Sequence, residues 1–480
     1  MAFDVSRRCL CSLLFLLLSP LSPAAQSTDG MPPGVAQVAR SARVAQDTIS
    51  LWVQRIGDPA PLNAFNAQTP RNPASTMKLA TTFAALNGLG PTHTWATDVF
   101  IPGGIQAGGV VGDLWLKGGG DPFLVVEEVW KIAGELRDKG VRRITGDLVI
   151  DDSYFQLPPE DPAAFDNQPD RAYNLVPNAL LVNFNTVRFT VQAQADGKIG
   201  VRADPPLPNL RVINRLKAAA GPCRGYQYGV AVSITGDARR DAQFDGSFPS
   251  RCRRFDISRT VLQADTYAWG LFTHYWQELG GEITGAVRRG TLPAGNRRPF
   301  LRHYSRPLGD IIRLVNKYSN NVMTRHLELT LGAERYEAPA TPEKGHQAIL
   351  DVLHEHGVNT EGMVIANSAG LSRDSRVSAE QLAQILLAGW RSSYMPEYVS
   401  SLALAGMDGT MRSRLNGTSG AGRMHVKTGR LDDVSAVAGY VTAKSGERLI
   451  AVLLINAPGA HLGPGNLLQN AFLRWVHDNH

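Results

Sequence analysis

Residues 424–456 read MHVKTGRLDDVSAVAGYVTAKSGERLIAVLLIN and contain three β-like runs in succession. The last two, at 435–442 and 448–456, predict a hairpin that turns at Ser445-Gly446. A further run at 48–55, TISLWVQR, alternates in polarity and is rich in β-forming residues. A strand near the start of the chain and a hairpin near its end can pair in one antiparallel sheet. The long segment between them is then an insertion into a split domain.

A β-rich middle separates two regions of helical periodicity. From about residue 95 to 283 the chain consists of short β-like runs with many Gly and Pro, interrupted by one amphipathic helix at 124–139. Helices are predicted outside this region, at 34–44, 72–87, 307–330, 342–356, 378–391 and 465–477. The pattern predicts an α+β fold in which residues 26–94 and 295–480 form one domain. Residues 95–294 are the insertion, of one or two domains.

The last predicted helix carries an apolar stripe that allows two interpretations. It could pack on the hairpin sheet or lie on a membrane surface, and the lack of a Lys/Arg-rich polar face favours packing on the sheet. The stripe consists of Leu467, Leu468, Ala471, Phe472, Trp475 and Val476.

The composition is that of an ordinary globular protein. The chain has 480 residues, of which 43% are hydrophobic and 19% charged, and its formal net charge is +6. This balance excludes a disordered or low-complexity protein. The Arg clusters are short and not interleaved with aromatic residues, so nucleic acid is not an expected partner.

Residues 1–25 have the pattern of a secretory signal peptide. Arg7-Arg8 precede an apolar run at 9–18, and small residues follow. The run is too short to span a membrane stably. We predict cleavage near Ala24 or Ala25 and export to the periplasm, with an uncleaved N-terminal anchor as the alternative.

Export leaves two of the four cysteines. Cys9 and Cys11 lie in the predicted signal peptide, whereas Cys223 and Cys252 remain, 29 positions apart. Two cysteines in an oxidising compartment are expected to pair, and the bridge would contribute roughly 3–4 kcal/mol in the chain-entropy model. Two unpaired buried thiols are the alternative.

The tetrapeptide Ser75-Thr76-Met77-Lys78 has the pattern S-x-x-K, in the first turn of the predicted helix 72–87. Unpaired N–H groups and the helix dipole favour developing negative charge there. Lys78 lies three residues on, within reach of the Ser75 hydroxyl. A desolvated, neutral lysine can activate a serine as a nucleophile. A capping serine beside a surface lysine would give the same tetrapeptide.

Two more motifs follow in the carboxy-terminal part. Ser319-Asn320-Asn321 is an S-x-N inside the predicted helix 307–330, where such residues are unfavourable unless their side chains are used. A polar helix face or a local break are the alternatives. Lys427-Thr428-Gly429 ends a β-like run at a predicted sheet edge, where Gly admits a ligand and Lys and Thr can hold a carboxylate. Lys444-Ser445-Gly446 has the same pattern, but it falls on the predicted hairpin turn.

The order S-x-x-K, S-x-N, K-T-G is the motif set of penicillin-binding proteins and class A β-lactamases. The chain resembles the D-alanyl-D-alanine carboxypeptidase/endopeptidases, the class C low-molecular-mass penicillin-binding proteins. Ser75 and Ser319 are 244 positions apart, which favours this group because β-lactamases of this type have a far shorter gap. Four other stretches resemble the family: 112–122 (GDLWLKGGGDP), 144–147 (ITGD), 183–185 (NFN) and 368–373 (SAGLSR).

The resemblance implies a penicillin-binding/serine β-lactamase-like catalytic domain that acts on peptidoglycan stem peptides by acyl transfer. Ser75 would attack the carbonyl of the penultimate D-alanine, and Lys78 would take the serine proton. Ser319 would relay a proton to the leaving amine. Asn321 would hold the substrate amide and position Lys78. Lys427 would bind the terminal carboxylate, or its counterpart in a penicillin.

Further contacts follow from the same resemblance. Thr428-Gly429 would help to bind the carboxylate, and the backbone N–H groups of Arg430 and of the nucleophile would form the oxyanion hole. Asp151 in the insertion and Arg373 would contact the peptide side chain. No metal or other cofactor is implied, and β-lactams are the expected covalent inhibitors.

Other functions fit parts of the sequence. An α/β-hydrolase needs G-x-S-x-G, which residues 366–370 (ANSAG) only approach. A zinc peptidase needs more ligands than 354–356 (HEH) supplies. A wall-binding protein without turnover, and a metal-independent esterase or β-lactamase-like hydrolase, are further alternatives. The sequence leaves open the balance of carboxypeptidase and endopeptidase activity, and peripheral association with membrane or wall.

Overall fold

The structure, a computed structural model, describes residues 28–223, 225–293 and 298–480. The predicted signal peptide, with Cys9 and Cys11, lies outside the described residues. The α-helices of the described residues are α1 (Pro33–Ser41), α2 (Lys78–Leu89), α3 (Val126–Asp138), α4 (Ala264–Glu278), α5 (Leu308–Tyr318), α6 (Asn321–Tyr336), α7 (Pro342–Glu355), α8 (Ala379–Arg391), α9 (Met395–Ser401) and α10 (Pro464–Asn479).

The strands of the same residues are distributed over five sheets. The first half of them are β1 (Thr28–Asp29), β2 (Ile49–Arg55), β3 (Asn63–Phe65), β4 (Ala96–Phe100), β5 (Val110–Val111), β6 (Leu114–Gly118), β7 (Arg143–Ile144), β8 (Leu148–Asp151), β9 (Thr186–Ala193), β10 (Ile199–Asp204) and β11 (Arg211–Asn214). The second half are β12 (Lys217–Ala219), β13 (Val230–Thr235), β14 (Asp241–Pro249), β15 (Phe255–Thr260), β16 (Glu282–Ile283), β17 (Val287–Arg289), β18 (Leu301–Tyr304), β19 (Ala403–Leu404), β20 (Met424–Leu431), β21 (Val434–Thr442) and β22 (Arg448–Asn456).

The main sheet joins the two ends of the chain. Its strand order is β1-β3-β2-β22-β21-β20-β19. β21 and β22 form the predicted hairpin, and β2 pairs antiparallel with β22, with Ile49 opposite Ile455. The prediction of one antiparallel sheet built from both ends of the chain is therefore confirmed. At the far edge, β1 and β3 pair in parallel.

The central strands β21 and β22 are buried on both faces, because a helical layer covers each face. On one face, Ala438 and Tyr440 pack in a core with α2 and α5 to α9. On the other face, Val437 and Val441 pack with α1 and α10. A strand buried on both sides needs apolar residues at successive positions, which explains the nearly continuous apolar runs of the hairpin. The predicted α+β class is confirmed as a helix–sheet–helix sandwich.

The insertion between α2 and α5 has its own hydrophobic core. That core includes Phe189, Phe244 and Trp276 and is separate from the cores on either side of the main sheet. In the sheet β17-β8-β6-β4-β18, β18 pairs antiparallel with β4. Residues 301–304 therefore lie with the insertion, whereas the predicted boundary assigned all of 295–480 to the other domain.

A disulfide joins Cys223 and Cys252 inside the insertion, with their Cα atoms 5.4 Å apart. It connects the segment after β12 to the turn between β14 and β15. This agrees with the expected pairing of the two cysteines.

The apolar stripe of α10 faces the sheet. Leu468, Phe472 and Val476 are buried in the core that α10 shares with α1 and the main sheet. Leu467 belongs to the same predicted stripe but is 59% exposed. The packing of this helix on the sheet therefore agrees with the expectation. Within the described residues, no helix is long and apolar enough to cross a membrane.

Phe472→Ala should lower the free energy of unfolding by about 3–5 kcal/mol, because it removes a buried ring and leaves a cavity. Leu467→Ala, on the same helix, should change it by less than about 0.5 kcal/mol because that side chain is largely in water. Denaturant unfolding of both variants measures the difference. Equal losses would contradict the packing of α10 through its Phe472 face.

Candidate active site

Ser75 lies in a 3-10 turn rather than in the first turn of an α-helix. The turn spans Ala74–Met77, and α2 begins only at Lys78, instead of near residue 72 as predicted. Ala74 has a left-handed backbone, with a φ of 44°. Its N–H donates a hydrogen bond of 2.9 Å to Oδ1 of Asn72. The Asn72 side chain therefore holds the start of the turn.

Two glycines allow neighbouring segments to reach the serine turn. At Gly429 a Cβ would lie 2.6 Å from the Pro73 carbonyl oxygen and 3.0 Å from Ser75 N. Gly370 has a φ of 76°, and a Cβ there would overlap the Ala74 carbonyl. Because only glycine lacks that atom, β20 and the segment around Gly370 can both contact the turn.

The amine of Lys78 is the centre of the site. Its Nζ lies 3.0 Å from Ser75 Oγ and 2.7 Å from Asn321 Oδ1. A third partner is the carbonyl oxygen of Ala369, at 2.5 Å. The Lys78 side chain is fully buried. The fold therefore brings the predicted serine, lysine and asparagine into contact.

The S-x-N motif divides the predicted helix 307–330 in two. α5 ends just before Ser319, which has a φ of 58°, and α6 begins at Asn321. The side chain of Asn320 accepts a hydrogen bond of 3.0 Å from Met323 N and caps α6. The polar run is therefore a local break, one of the two alternatives that the sequence left open.

The K-T-G motif lies on β20 at a sheet edge, as predicted. β19 stops pairing with β20 at Val426, so in the described pairing the motif has only β21 as a neighbour. Nζ of Lys427 donates to Ser319 Oγ at 2.9 Å and to the Thr428 carbonyl at 2.7 Å. The Thr428 hydroxyl donates to Thr410 Oγ1 at 2.8 Å. A second serine–lysine pair thus lies beside the first.

Two buried amines dominate the electrostatics of the site. Burial, and then the charge of Lys427, lower the pKa of Lys78 well below its ordinary value. Burial lowers the pKa of Lys427 to about 7. The partners of both amines in the described residues are hydroxyl, amide and carbonyl oxygens, none of which supplies a negative charge. Both lysines therefore lose a proton more readily than an exposed lysine.

Of the other predicted contacts, Arg430 lies next to the site and Asp151 does not. Arg430 follows Gly429 on β20, and its side chain is exposed. Asp151 is fully buried at the end of β8. Its carboxylate accepts hydrogen bonds from Ser153 Oγ at 2.6 Å and from Leu292 N at 2.8 Å. This placement disagrees with a substrate contact, because both oxygens are used inside the insertion.

Arg373 lies near a small pocket that the sequence motifs did not indicate. Its guanidinium stands 5.2 Å from the centre of the Phe165 ring. Phe165, Asp161 and Asn321 all line a pocket of about 120 Å³. Its walls come from the insertion, from α6 and from the segment around Ala369, so only the tertiary structure assembles it.

The sequence motifs also did not indicate two backbone carbonyl groups of the site. Ala369 lies in the family-like stretch 368–373, but its contact with Lys78 uses a backbone oxygen, which leaves no residue-specific signal. The Tyr173 carbonyl accepts a hydrogen bond of 3.2 Å from Asn321 Nδ2. The insertion therefore reaches the active site through Tyr173.

A serine beside a buried lysine, with a second serine–lysine pair at the edge of a sheet between helical layers, defines the class of penicillin-binding and serine β-lactamase-like proteins. The fold agrees with a solved structure of that class, penicillin binding protein 4 (dacB) from Haemophilus influenzae. The TM-score is 0.78 at 22% identity, with 93% of this chain and 100% of the other covered.

Within this class, the D-Ala-D-Ala carboxypeptidase 3 (S13) family model matches residues 33–468, and the chain belongs to that family. One relative is the D-alanyl-D-alanine carboxypeptidase of Actinomadura sp. (strain R39), 29% identical over 423 residues, which are 82% of this chain and 74% of the relative. Another is D-alanyl-D-alanine carboxypeptidase DacB of Haemophilus influenzae, 27% identical over 399 residues and 82% of each chain. The family inferred from the motifs is confirmed.

The buried Lys427 should make stability depend on pH. Its pKa is about 7 in the fold against 10.5 ordinarily. Between these values the unfolded chain binds more protons at this residue than the folded chain, so the free energy of unfolding rises with pH. Lys427→Met should reduce that rise, leaving the part due to Lys78.

Denaturant unfolding between about pH 7 and about pH 10 measures the slope. Lys198→Met is the control, because that side chain is 80% exposed and the variant should keep the wild-type slope. An unchanged slope in Lys427→Met would contradict the burial of a readily deprotonated amine.

Proposed function

We propose that this S13-family hydrolase cleaves the D-Ala-D-Ala terminus of peptidoglycan stem peptides, and D-Ala-diaminopimelate cross-links, through an acyl-enzyme at Ser75. The observation that carries the proposal is the placement of the Lys78 amine between Ser75, Asn321 and Ala369. The membership of the family, and relatives named D-alanyl-D-alanine carboxypeptidases, support it.

The three partners of Lys78 explain how it acts as a base. Asn321 Oδ1 and the Ala369 carbonyl can only accept hydrogen bonds. A neutral amine has two hydrogens, which these acceptors occupy, so its lone pair is left facing Ser75 Oγ at 3.0 Å. The lowered pKa of Lys78 makes the neutral form accessible.

The reaction proceeds by exchange of one acyl bond for another. Ser75 Oγ bonds to the carbonyl carbon as Lys78 takes its proton, and the C–N bond of the peptide then breaks. The proton that Lys78 took passes by way of Ser319 to the leaving amine, and the Ser319 hydroxyl lies 2.9 Å from Lys427 Nζ. Water hydrolyses the ester and restores the serine. In a β-lactam the same C–N bond is in the ring, so the amine stays attached and the adduct persists.

Lys427 and Thr428 bind the terminal carboxylate. A carboxylate supplies the negative charge that the pair of buried lysines lacks, so binding would keep Lys427 protonated. The backbone N–H groups of Ser75 and Arg430 form the oxyanion hole, with Gly429 permitting the close approach of β20 to the serine turn.

A labelled penicillin tests the nucleophile. Wild type should form a covalent adduct with a stoichiometry near one. Ser75→Ala should form none, because the substitution removes the hydroxyl oxygen to which the acyl group would bond. Mass spectrometry of the intact protein and of its peptides locates the label. Ser445→Ala, in the second K-[ST]-G pattern, should label like wild type. A label that survives Ser75→Ala would refute the assignment, and a wild type that binds only reversibly would favour a wall-binding protein without turnover.

The pocket beside Asn321 is proposed to take the side chain of the stem-peptide residue before D-Ala. Diaminopimelate ends in an amine and a carboxylate. Asp161 and Phe165 line the pocket, and the Arg373 guanidinium lies 5.2 Å from the centre of the Phe165 ring, so charges of both signs are near. These residues replace Asp151 in the proposal, because Asp151 is buried within the insertion.

Arg373→Ala should raise KM about tenfold for a stem peptide with diaminopimelate and leave kcat little changed, because a charge-assisted hydrogen bond to the substrate is lost. A substrate with lysine at that position lacks the carboxylate and should be much less affected. Steady-state kinetics on both peptides measures the difference. Equal effects on the two peptides would contradict recognition of the carboxylate by Arg373.

The location, substrate and inhibitors of the enzyme complete the proposal. We propose a periplasmic location after removal of residues 1–25, peptidoglycan stem peptides as substrate and β-lactams as covalent inhibitors. Comparing the consumption of cross-linked and uncross-linked muropeptides by the purified protein measures the balance of endopeptidase and carboxypeptidase activity.

A further inference from the structure

The Ala369 carbonyl that contacts Lys78 belongs to a segment outside any helix or strand. Its oxygen lies 2.5 Å from Lys78 Nζ and 3.5 Å from Ser75 Oγ. A shift of this carbonyl would therefore change both the protonation and the direction of the amine. Within the segment, the Gly370 N–H donates a hydrogen bond of 2.8 Å to the Asn367 carbonyl, and further contacts come from the two neighbouring helices.

Ser368, the preceding residue, is fixed from two sides. It is fully buried. Its carbonyl accepts a hydrogen bond of 2.8 Å from the Thr81 hydroxyl on α2. Its own hydroxyl donates to Oε2 of Glu328 on α6. The residue that precedes Ala369 is thus held to both helices of the active site.

Glu328 lies on α6 seven residues after Asn321, which places the two side chains on the same face of the helix, two turns apart. One helix therefore acts on both acceptors of the Lys78 amine. Asn321 contacts the amine directly, and Glu328 acts through Ser368 on the Ala369 carbonyl.

The carboxylate of Glu328 is unusual because it is only 3% exposed. Its second oxygen, Oε1, lies 2.7 Å from Nε2 of His346 on α7. Burial alone would lower the pKa of His346, but Glu328 and Glu343 outweigh it and the pKa is raised. His346 can therefore carry the counter-charge. A buried carboxylate is costly unless it is paired, and here one oxygen faces His346 while the other accepts from Ser368, in the segment that contacts Lys78.

We propose that Glu328 and Ser368 are positioning residues for the reaction, which hold the Ala369 carbonyl against the Lys78 amine so that its lone pair faces Ser75. The inference rests on the proposed function, since it assigns Lys78 as the base. Neither residue touches the substrate or the reacting atoms.

Ser368→Ala should lower the second-order rate constant of penicillin acylation about tenfold to a hundredfold per labelled site, because the base is displaced. The acid limb of its pH profile should also move to lower pH. A carbonyl that accepts from the amine stabilises the ammonium form, so its loss lowers the pKa of Lys78 further. The charge of Lys427 also lowers the pKa of Lys78, and the Ser368→Ala variant leaves Lys427 in place.

Ser375→Ala is the matched control. Ser375 is also fully buried in the chain segment that follows, and its hydroxyl has no partner among the described residues. It should keep the wild-type rate per site and the wild-type acid limb. Rates are divided by the number of sites that the penicillin labels. A loss of folded protein therefore lowers the labelling stoichiometry but does not move the acid limb of the pH profile.

A pair of variants at Glu328 covers the case in which Ser368→Ala fails to fold. Glu328→Gln still offers an oxygen to the Ser368 hydroxyl and should keep most of the rate. Glu328→Leu offers none and should resemble Ser368→Ala. Equal losses in the two Glu328 variants, or a Ser368→Ala variant with unchanged rate and acid limb, would overturn the proposal.

A titration of the Lys78 side chain by NMR, with ¹³C-labelled lysine, separates this inference from the proposed function. The Lys78 resonance should titrate at lower pH in Ser368→Ala than in Ser375→Ala even if the wild type forms no adduct with penicillin. Absence of the adduct would then refute the function, whereas equal titration in the two serine variants would refute the positioning role.

Discussion

The burial of the Lys78 amine among oxygen acceptors is the constraint on which the rest of the structure depends. An amine with no carboxylate beside it is stable in such a place only if every hydrogen has a partner. Its three partners come from three separate parts of the chain: the serine turn, the start of α6 and the segment around Ala369. The serine turn, α6 and the segment around Ala369 must therefore all lie within hydrogen-bond distance of the Lys78 amine.

The split domain meets this requirement through its central sheet. β2 from the amino-terminal part pairs with β22 from the carboxy-terminal part, and helices cover both faces, so the two parts form one sandwich. Within it, Asn456 at the end of β22 exchanges hydrogen bonds of 2.7 and 3.0 Å with the backbone of Asn72, just before the serine turn. The insertion contributes one carbonyl, that of Tyr173, to Asn321. A region with its own core is thereby tied to the reacting groups.

Much of this could be predicted from local patterns. The hairpin, its partner strand, the last helix and the order of the three motifs all depend on residues close together in sequence, where apolar periodicity and turn residues are informative. The predicted start of α2 was wrong by about one and a half turns. The left-handed backbone of Ala74 and its hydrogen bond to the Asn72 side chain favour a 3-10 turn, which helix propensity does not reveal. The pattern of residues 307–330 predicts one helix, whereas the structure has a break at Ser319. Its left-handed backbone accompanies a contact with Lys427, which is distant in sequence, so local periodicity does not reveal the break.

The sequence alone determined the class of chemistry and the residues that carry it, since a nucleophile, its base and a carboxylate-binding pair are side chains of definite type at definite spacing. Only the tertiary structure decided how they work. The Ala369 carbonyl, the buried pair of Glu328 and Ser368, the pocket at Phe165 and the inward burial of Asp151 all arise from residues far apart in the chain. Their roles follow from distance and desolvation, which are properties of the packed molecule and leave no trace in a local stretch of residues.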